Sequence, residues 1–227
     1  MNENQKKTSK NILSKKDLPL GILAGFFIGL FLLPILKVSN EEIYLKLKLA
    51  ILPFFLFGTP LGLIVAHKIS QKIPLIWQIA KFGVTGVINV LVDFGVLLFL
   101  SSFFKNYYDV YSNQNFLSFK SFIVLTITFY SLYKALSFIV ANINSYFWNK
   151  FWTFDGRNNK KSEFFQFFIV SVVGFFVNVG VASLVFNSFS SLSSLKQDQW
   201  ALIGAVFGSI AGLFWNFMGY KFFVFKK

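Results

Sequence analysis

The chain has 227 residues, 55% of them hydrophobic, a formal net charge of +13 and no cysteine, and its mean hydropathy is +0.61. Its apolar residues fall in blocks long enough to cross a bilayer, which takes about 20 residues per helix, so an ordinary soluble domain is excluded. The basic residues cluster at the ends of those blocks, as topology signals do, and no nucleic-acid-binding signature accompanies them; disulfides and thiol ligands are excluded outright.

Residues 1–17, MNENQKKTSKNILSKKD, read as a disordered cytoplasmic tail. The first span, about Leu18–Leu36, carries Gly21, Gly25 and Gly29 on one face, where close helix packing is easiest. No small-residue cleavage site follows it, so it reads as a retained helix and not a signal peptide. A loop with Lys37, Glu41, Glu42, Lys46 and Lys48 precedes a second span, about Leu49–Ala66, where Pro53 and Pro60 predict a kink. A basic connector with His67, Lys68 and Lys72 leads to the third span, about Ile79–Phe103. A Tyr-rich polar loop follows, then a long fourth span, about Phe119–Trp148, and a connector at 149–163. The fifth span, about Phe164–Phe189, a serine-rich turn with Lys196 and Asp198, and the sixth, about Gln199–Tyr220, complete the chain.

The expected fold is an all-α membrane protein of six transmembrane helices: a tail (1–17), an added N-terminal hairpin (18–72) and a four-helix domain (73–227). No long linker breaks it, so one compact membrane domain is expected. Counting basic residues by side gives 15 of 22 in the tail, the second and fourth connectors and the C-terminus. The positive-inside rule therefore places both termini in the cytoplasm. One arginine, Arg157, among so many lysines, with 33 phenylalanines, looks like A/T-rich coding. The implied setting is the cytoplasmic (inner) membrane of a prokaryote.

Two spans form a repeat. An offset of 85 places Lys81 on Gln166, Asn89 on Gly174 and Asp93 on Asn178; an offset of 71 places Lys134 on Ala205, Ser137 on Gly208, Asn149 on Tyr220 and Lys150 on Lys221. Both copies begin on the same side, so the hairpins are parallel repeats about an axis along the membrane normal.

Asp93 and Lys134 are ionisable side chains deep inside apolar runs. A charge at the bilayer centre costs roughly 2.5–3.5 kcal/mol on insertion scales unless it finds a partner. Asp93 lies about 14 residues into its span and Lys134 about 15 into the next, so antiparallel neighbours bring the two to similar depth. The second copy carries no such pair.

Four stretches resemble GtrA-like membrane proteins: KFGVTGVINVLVDFGVLLFL, YKALSFIVANINSYFWNKFWTF, FFQFFIVSVVGFFVNVG and WNFMGYKFFVF, together spanning about residues 77–226. The resemblance implies translocation of a polyprenyl-phosphate-linked sugar for glycosylation of surface polymers. By motif position it carries over Asn89, Asp93, Lys134, Asn149 and Lys150. Two departures stand out: the hairpin at 18–66 is additional, and Tyr220 replaces a small or amide residue before Lys221.

As a substrate site, Lys134 would take the lipid phosphate with Tyr130 and Tyr133 as neighbouring hydroxyls, and Asp93 would hold Lys134 when the site is empty. The plainer reading of the pair is a structural ion pair that fixes helix register. Asn89 would bind sugar hydroxyls or hydrogen-bond between helices, while Asn149 and Lys150 would hold a headgroup or act as interfacial anchors. No nucleophile–base constellation, metal-ligand spacing or phosphate-cradling glycine loop is found, so neither catalysis nor a cofactor or metal is expected. Expected partners are the sugar lipid, membrane lipids, a membrane glycosyltransferase and a second copy in a homodimer. Two alternatives stay open: a non-transporting scaffold for a glycosyltransferase, and a small proton-coupled exporter using Asp93.

Overall fold

The computed structural model describes residues 14–120, 124–156, 162–189 and 197–226. Six α-helices dominate: α1 (Asp17–Ser39), α2 (Glu41–Ser70), α3 (Leu75–Tyr108), α4 (Phe129–Trp148), α5 (Glu163–Phe189) and α6 (Gln197–Gly219). Five of the six are long and apolar enough to cross a membrane by length and composition. The exception, α4, carries Lys134, Asn142, Asn144 and three tyrosines within its 20 residues. Packing divides the chain into two compact units, Met1–Thr153 and Phe154–Lys227, so the added hairpin is grouped with the first repeat. Of the expected tail, residues 1–13 lie outside the described residues, as does most of the serine-rich turn.

In the first unit the connections after α1 and α3 depart from expectation twice. The expected loop at 37–48 shrinks to Asn40 alone, because Asn40 caps α2, its Oδ1 accepting from the Ile43 amide at 3.0 Å. Glu41 and Glu42 then occupy the first turn, where the helix dipole favours anions. The fourth span is also shorter than its hydropathy predicts. An antiparallel pair of β1 (Asn115–Lys120) and β2 (Val124–Thr128) occupies the described residues of its start, and α4 begins only at Phe129. The VLTIT segment is rich in β-branched residues, which fit a pleated strand better than a helix. Thr128 ends the strand and caps α4, accepting from the Ser131 amide.

α2 continues unbroken through Pro53 and Pro60. The glycines of α1 let the two helices of the added hairpin touch backbone to backbone: a β-carbon at Gly25 would lie 2.1 Å from the Phe55 carbonyl oxygen. Ala24 and Ile28 of α1, Leu63 of α2, and Trp77, Ile88 and Leu91 of α3 form one core with Trp152. The hairpin is therefore packed into the first repeat and not appended to it.

In the second unit α5 and α6 pair along the small face of α6. A β-carbon at Gly208 would meet the Asn178 carbonyl oxygen at 2.4 Å, and one at Gly204 the Ala182 carbonyl at 2.7 Å. Both repeats end in a five-residue π-helical turn, Asn149–Thr153 and Tyr220–Val224, at the offset of 71 read from the sequence. The unusual Tyr220 does not break the second turn. Its ring stacks on Phe167 at 4.1 Å, its hydroxyl lies 2.6 Å from Ser171 Oγ, and Phe154 and Phe225 close around it.

Candidate functional site

Asp93 stands in the middle of α3 and faces α4, where the Lys134 ammonium donates to its Oδ2. The Ser137 hydroxyl, one turn along α4, donates to Oδ1 at 2.6 Å and leaves the carboxylate engaged on both oxygens. The Phe94 ring lies 5.8 Å from the ammonium. Side-chain exposure is 38% for Lys134 but 18% for Asp93, so the cation is the open partner. Charge-assisted hydrogen bonds of this kind are about twice as strong as neutral ones, and stronger where water is excluded.

Because α4 begins at Phe129, Lys134 stands in its second turn and not about 15 residues along a span. The two side chains still meet, since α3 carries Asp93 to the level of that turn. Of the two expected hydroxyls, Tyr133 is buried against Phe104 and its hydroxyl has no hydrogen-bond partner, so it does not join the group. Tyr130 is half exposed. Asn89, one turn before Asp93, has a buried Oδ1 without a donor. In the loop after α3, the Asp109 carboxylate holds the Tyr111 phenol above its ordinary pKa through a hydrogen bond and through its charge.

Asn149 and Lys150 belong elsewhere. They follow Lys134 by 15 and 16 residues, which is about 24 Å along a helix. Asn149 Nδ2 donates to the Ser145 carbonyl at 2.9 Å and Lys150 Nζ to the Tyr146 hydroxyl at 3.0 Å, both buried in the first π turn and its approach. The expected substrate-binding residues thus lie at two places, with Asn149 and Lys150, expected as headgroup holders or interfacial anchors, apart from Asp93 and Lys134.

The second location contains residues that the sequence reading passed over. Asp17, assigned there to the tail, is buried as the first residue of α1. Its Oδ1 accepts from the Trp152 indole at 3.0 Å, its Oδ2 accepts from the Ser14 amide at 2.8 Å, and the Lys81 ammonium lies 3.7 Å away. Lys81 Nζ donates to the Trp152 carbonyl at 2.8 Å and sits 5.1 Å from the Trp77 ring centre. Lys16 Nζ donates to the Phe151 carbonyl at 2.9 Å. The carbonyls at a helix end lack intrahelical partners, and ammonium groups are favoured there. Lys81 is visible in the sequence as the opening residue of the resemblance and of the repeat, on one helix face with Thr85, Asn89 and Asp93, but nothing there pairs it with Asp17.

An apolar cavity of about 690 Å³ runs between α1, α3 and α4, with Phe27, Phe31, Pro34, Val92 and Phe99 on its walls. Asn144 also lines it, and the Nδ2 of that residue has no acceptor. Among the described residues, no group of three or more His, Asp or Glu gathers that would suit a metal ion.

Tandem helical hairpins of membrane-spanning length, with an ion pair inside one copy and a π turn closing each, define a polytopic membrane protein built by duplication. The sequence matches the GtrA/DPMS transmembrane domain over residues 81–225, and the chain belongs to that family. Membership ties it to lipid-linked sugar metabolism at a membrane. Neither a curated protein nor a solved structure matches it.

Proposed function

We propose that the protein translocates a polyprenyl-phosphate-linked sugar across the cytoplasmic membrane, with both termini in the cytoplasm, and supplies a membrane glycosyltransferase on the far side. The observation that carries this reading is the Asp93–Lys134 pair, with its cation the more exposed partner. Intramembrane charges are rare, costly and functional by default. An incoming phosphate replaces Asp93 at the ammonium, which stays neutralised, while the Ser137 hydroxyl keeps the displaced Asp93 carboxylate hydrogen-bonded. The apolar cavity beside α3 supports a lipid ligand, since its walls are almost wholly apolar side chains.

The test is reconstitution in liposomes with a labelled lipid-linked sugar. Lys134→Ala is expected to abolish protected label while membrane insertion stays normal; transport at the wild-type rate in that variant refutes the role. A second reading, a scaffold that recruits the glycosyltransferase, is favoured by the exposed Lys68 and Lys72 at the end of α2. It predicts that transport activity stays absent in the wild type, while cross-linking to the enzyme is lost when those lysines are reversed in charge.

A further inference from the structure

Asp17, Lys81 and Trp152 form a second charged group in the first unit, and no part of the Lys134 mechanism uses it. Its composition is asymmetric. The two strong donors, the Lys81 ammonium and the Trp152 indole, come from within the family match, which begins at Lys81 itself. The acceptor, Asp17, comes from the added hairpin outside that match. A buried pair of donors is thus met by a carboxylate from a different part of the chain.

The carboxylate is hydrogen-bonded by the Trp152 indole and the Ser14 amide, while Lys81 holds it by charge alone. At 3.7 Å the Lys81–Asp17 contact is too long for a hydrogen bond, and the ammonium bonds the Trp152 carbonyl instead. Attraction between the charges remains, because both side chains are less than a tenth exposed. Lys16, exposed, has its ammonium on the neighbouring Phe151 carbonyl, so positive charge leads from the surface to the pocket. Removing one partner of a buried ion pair leaves an uncompensated charge, which is costly; a phosphate keeps the Lys81 ammonium compensated, and the displaced Asp17 carboxylate keeps the hydrogen bond from the Ser14 amide. Asp93 lies 12 residues beyond Lys81, about 18 Å along α3, well over half of a bilayer core about 30 Å thick.

We propose that the Lys81–Trp152 pocket is an anion station for the phosphate of an isoprenoid phosphate, occupied by Asp17 when the ligand is absent. This rests on the transport reading and deepens it: the phosphate displaces Asp17 at Lys81 before it displaces Asp93 at Lys134. Each lysine keeps a resident aspartate, so neither ammonium is left without an anion between ligands. The added hairpin thereby acts as a competitor built into the chain.

The test measures binding of farnesyl phosphate, with farnesol as the uncharged control, to the full chain in phosphatidylcholine nanodiscs. A Lys134→Met background silences the first site. In that background Asp17→Asn, whose amide oxygen still accepts from Trp152, is expected to bind about tenfold more tightly, since the competing charge is gone. Lys81→Met is expected to bind about tenfold less tightly, and Lys81→Arg to restore the affinity. Unchanged or weaker binding in Asp17→Asn overturns the proposal, as does unchanged binding in Lys81→Met. If Asp17→Asn is not recovered folded, the Lys81→Met and Lys81→Arg pair decides alone. The two readings fail separately: these shifts together with wild-type transport in Lys134→Ala would uphold the station and sink the Lys134 site.

Discussion

The two repeats make the same helix contact with opposite chemistry. In the first, Asp93 of α3 meets Ser137 of α4; in the second, Asn178 of α5 meets Gly208 of α6. The offsets of 85 and 71 predict that equivalence independently, and each unit realises it. Where the first copy places a carboxylate, a hydroxyl and an ammonium, the second places an amide against bare backbone, with Ala205 in the position of Lys134. The first copy keeps charges that membrane insertion penalises; the second has exchanged them for close packing. On the transport reading, the first hairpin is the one that meets an anion, and the second is suited to holding its shape.

That contrast can be broken most severely at the tight contact. Gly208→Leu forces a side chain into the Asn178 carbonyl and is expected to cost about 3 kcal/mol or more, seen as loss of monodisperse protein or a much lower melting temperature. A melting temperature within a degree of wild type would show that α5 and α6 do not depend on this approach.

The next effect sharpens the comparison by converting one copy into the other. Asp93→Asn leaves the Lys134 ammonium facing a neutral amide and is expected to destabilise by about 1–3 kcal/mol. Adding Lys134→Ala reproduces the Asn178 and Ala205 combination of the second repeat. It should recover most of that loss without recovering transport, and additive losses would mean that the two side chains are not coupled.

Smallest is Tyr220→Phe, which keeps the stacked ring but removes the contact with Ser171. About 0.5–1.5 kcal/mol is expected in thermal melting, with transport unchanged. A transport defect there would give the second π turn a role beyond packing.

The encounter of Asp93 with Lys134 was legible because hydrocarbon offers a buried charge few partners. The equal lengths of the π turns were legible in the NKFWTF and YKFFVF pairing, although nothing in those letters announced a π geometry. The β1–β2 hairpin was not, since hydropathy cannot separate a strand from a helix in a short apolar run; only the β-branched VLTIT gave a hint. Asp17 was hidden for another reason. It follows two lysines at the end of a polar stretch, and the indole that holds it lies 135 residues away in sequence. Helix limits read from hydropathy were short at both ends of α2 and α3, where polar and aromatic residues extend the helices past the apolar run.

The first π turn has a consequence for how this chain tolerates insertions and deletions. Such a turn closes its hydrogen bonds over one residue more than an α-helical turn, so a single deletion can let it close as ordinary helix while re-aiming the residue that fills the gap. Losing Phe151 would keep the chain continuous but move Trp152 onto the bearing that Phe151 now holds, where the ring is 56% exposed. A change of one codon, with no charged residue touched, would then strip Asp17 of its indole and loosen the added hairpin from the core.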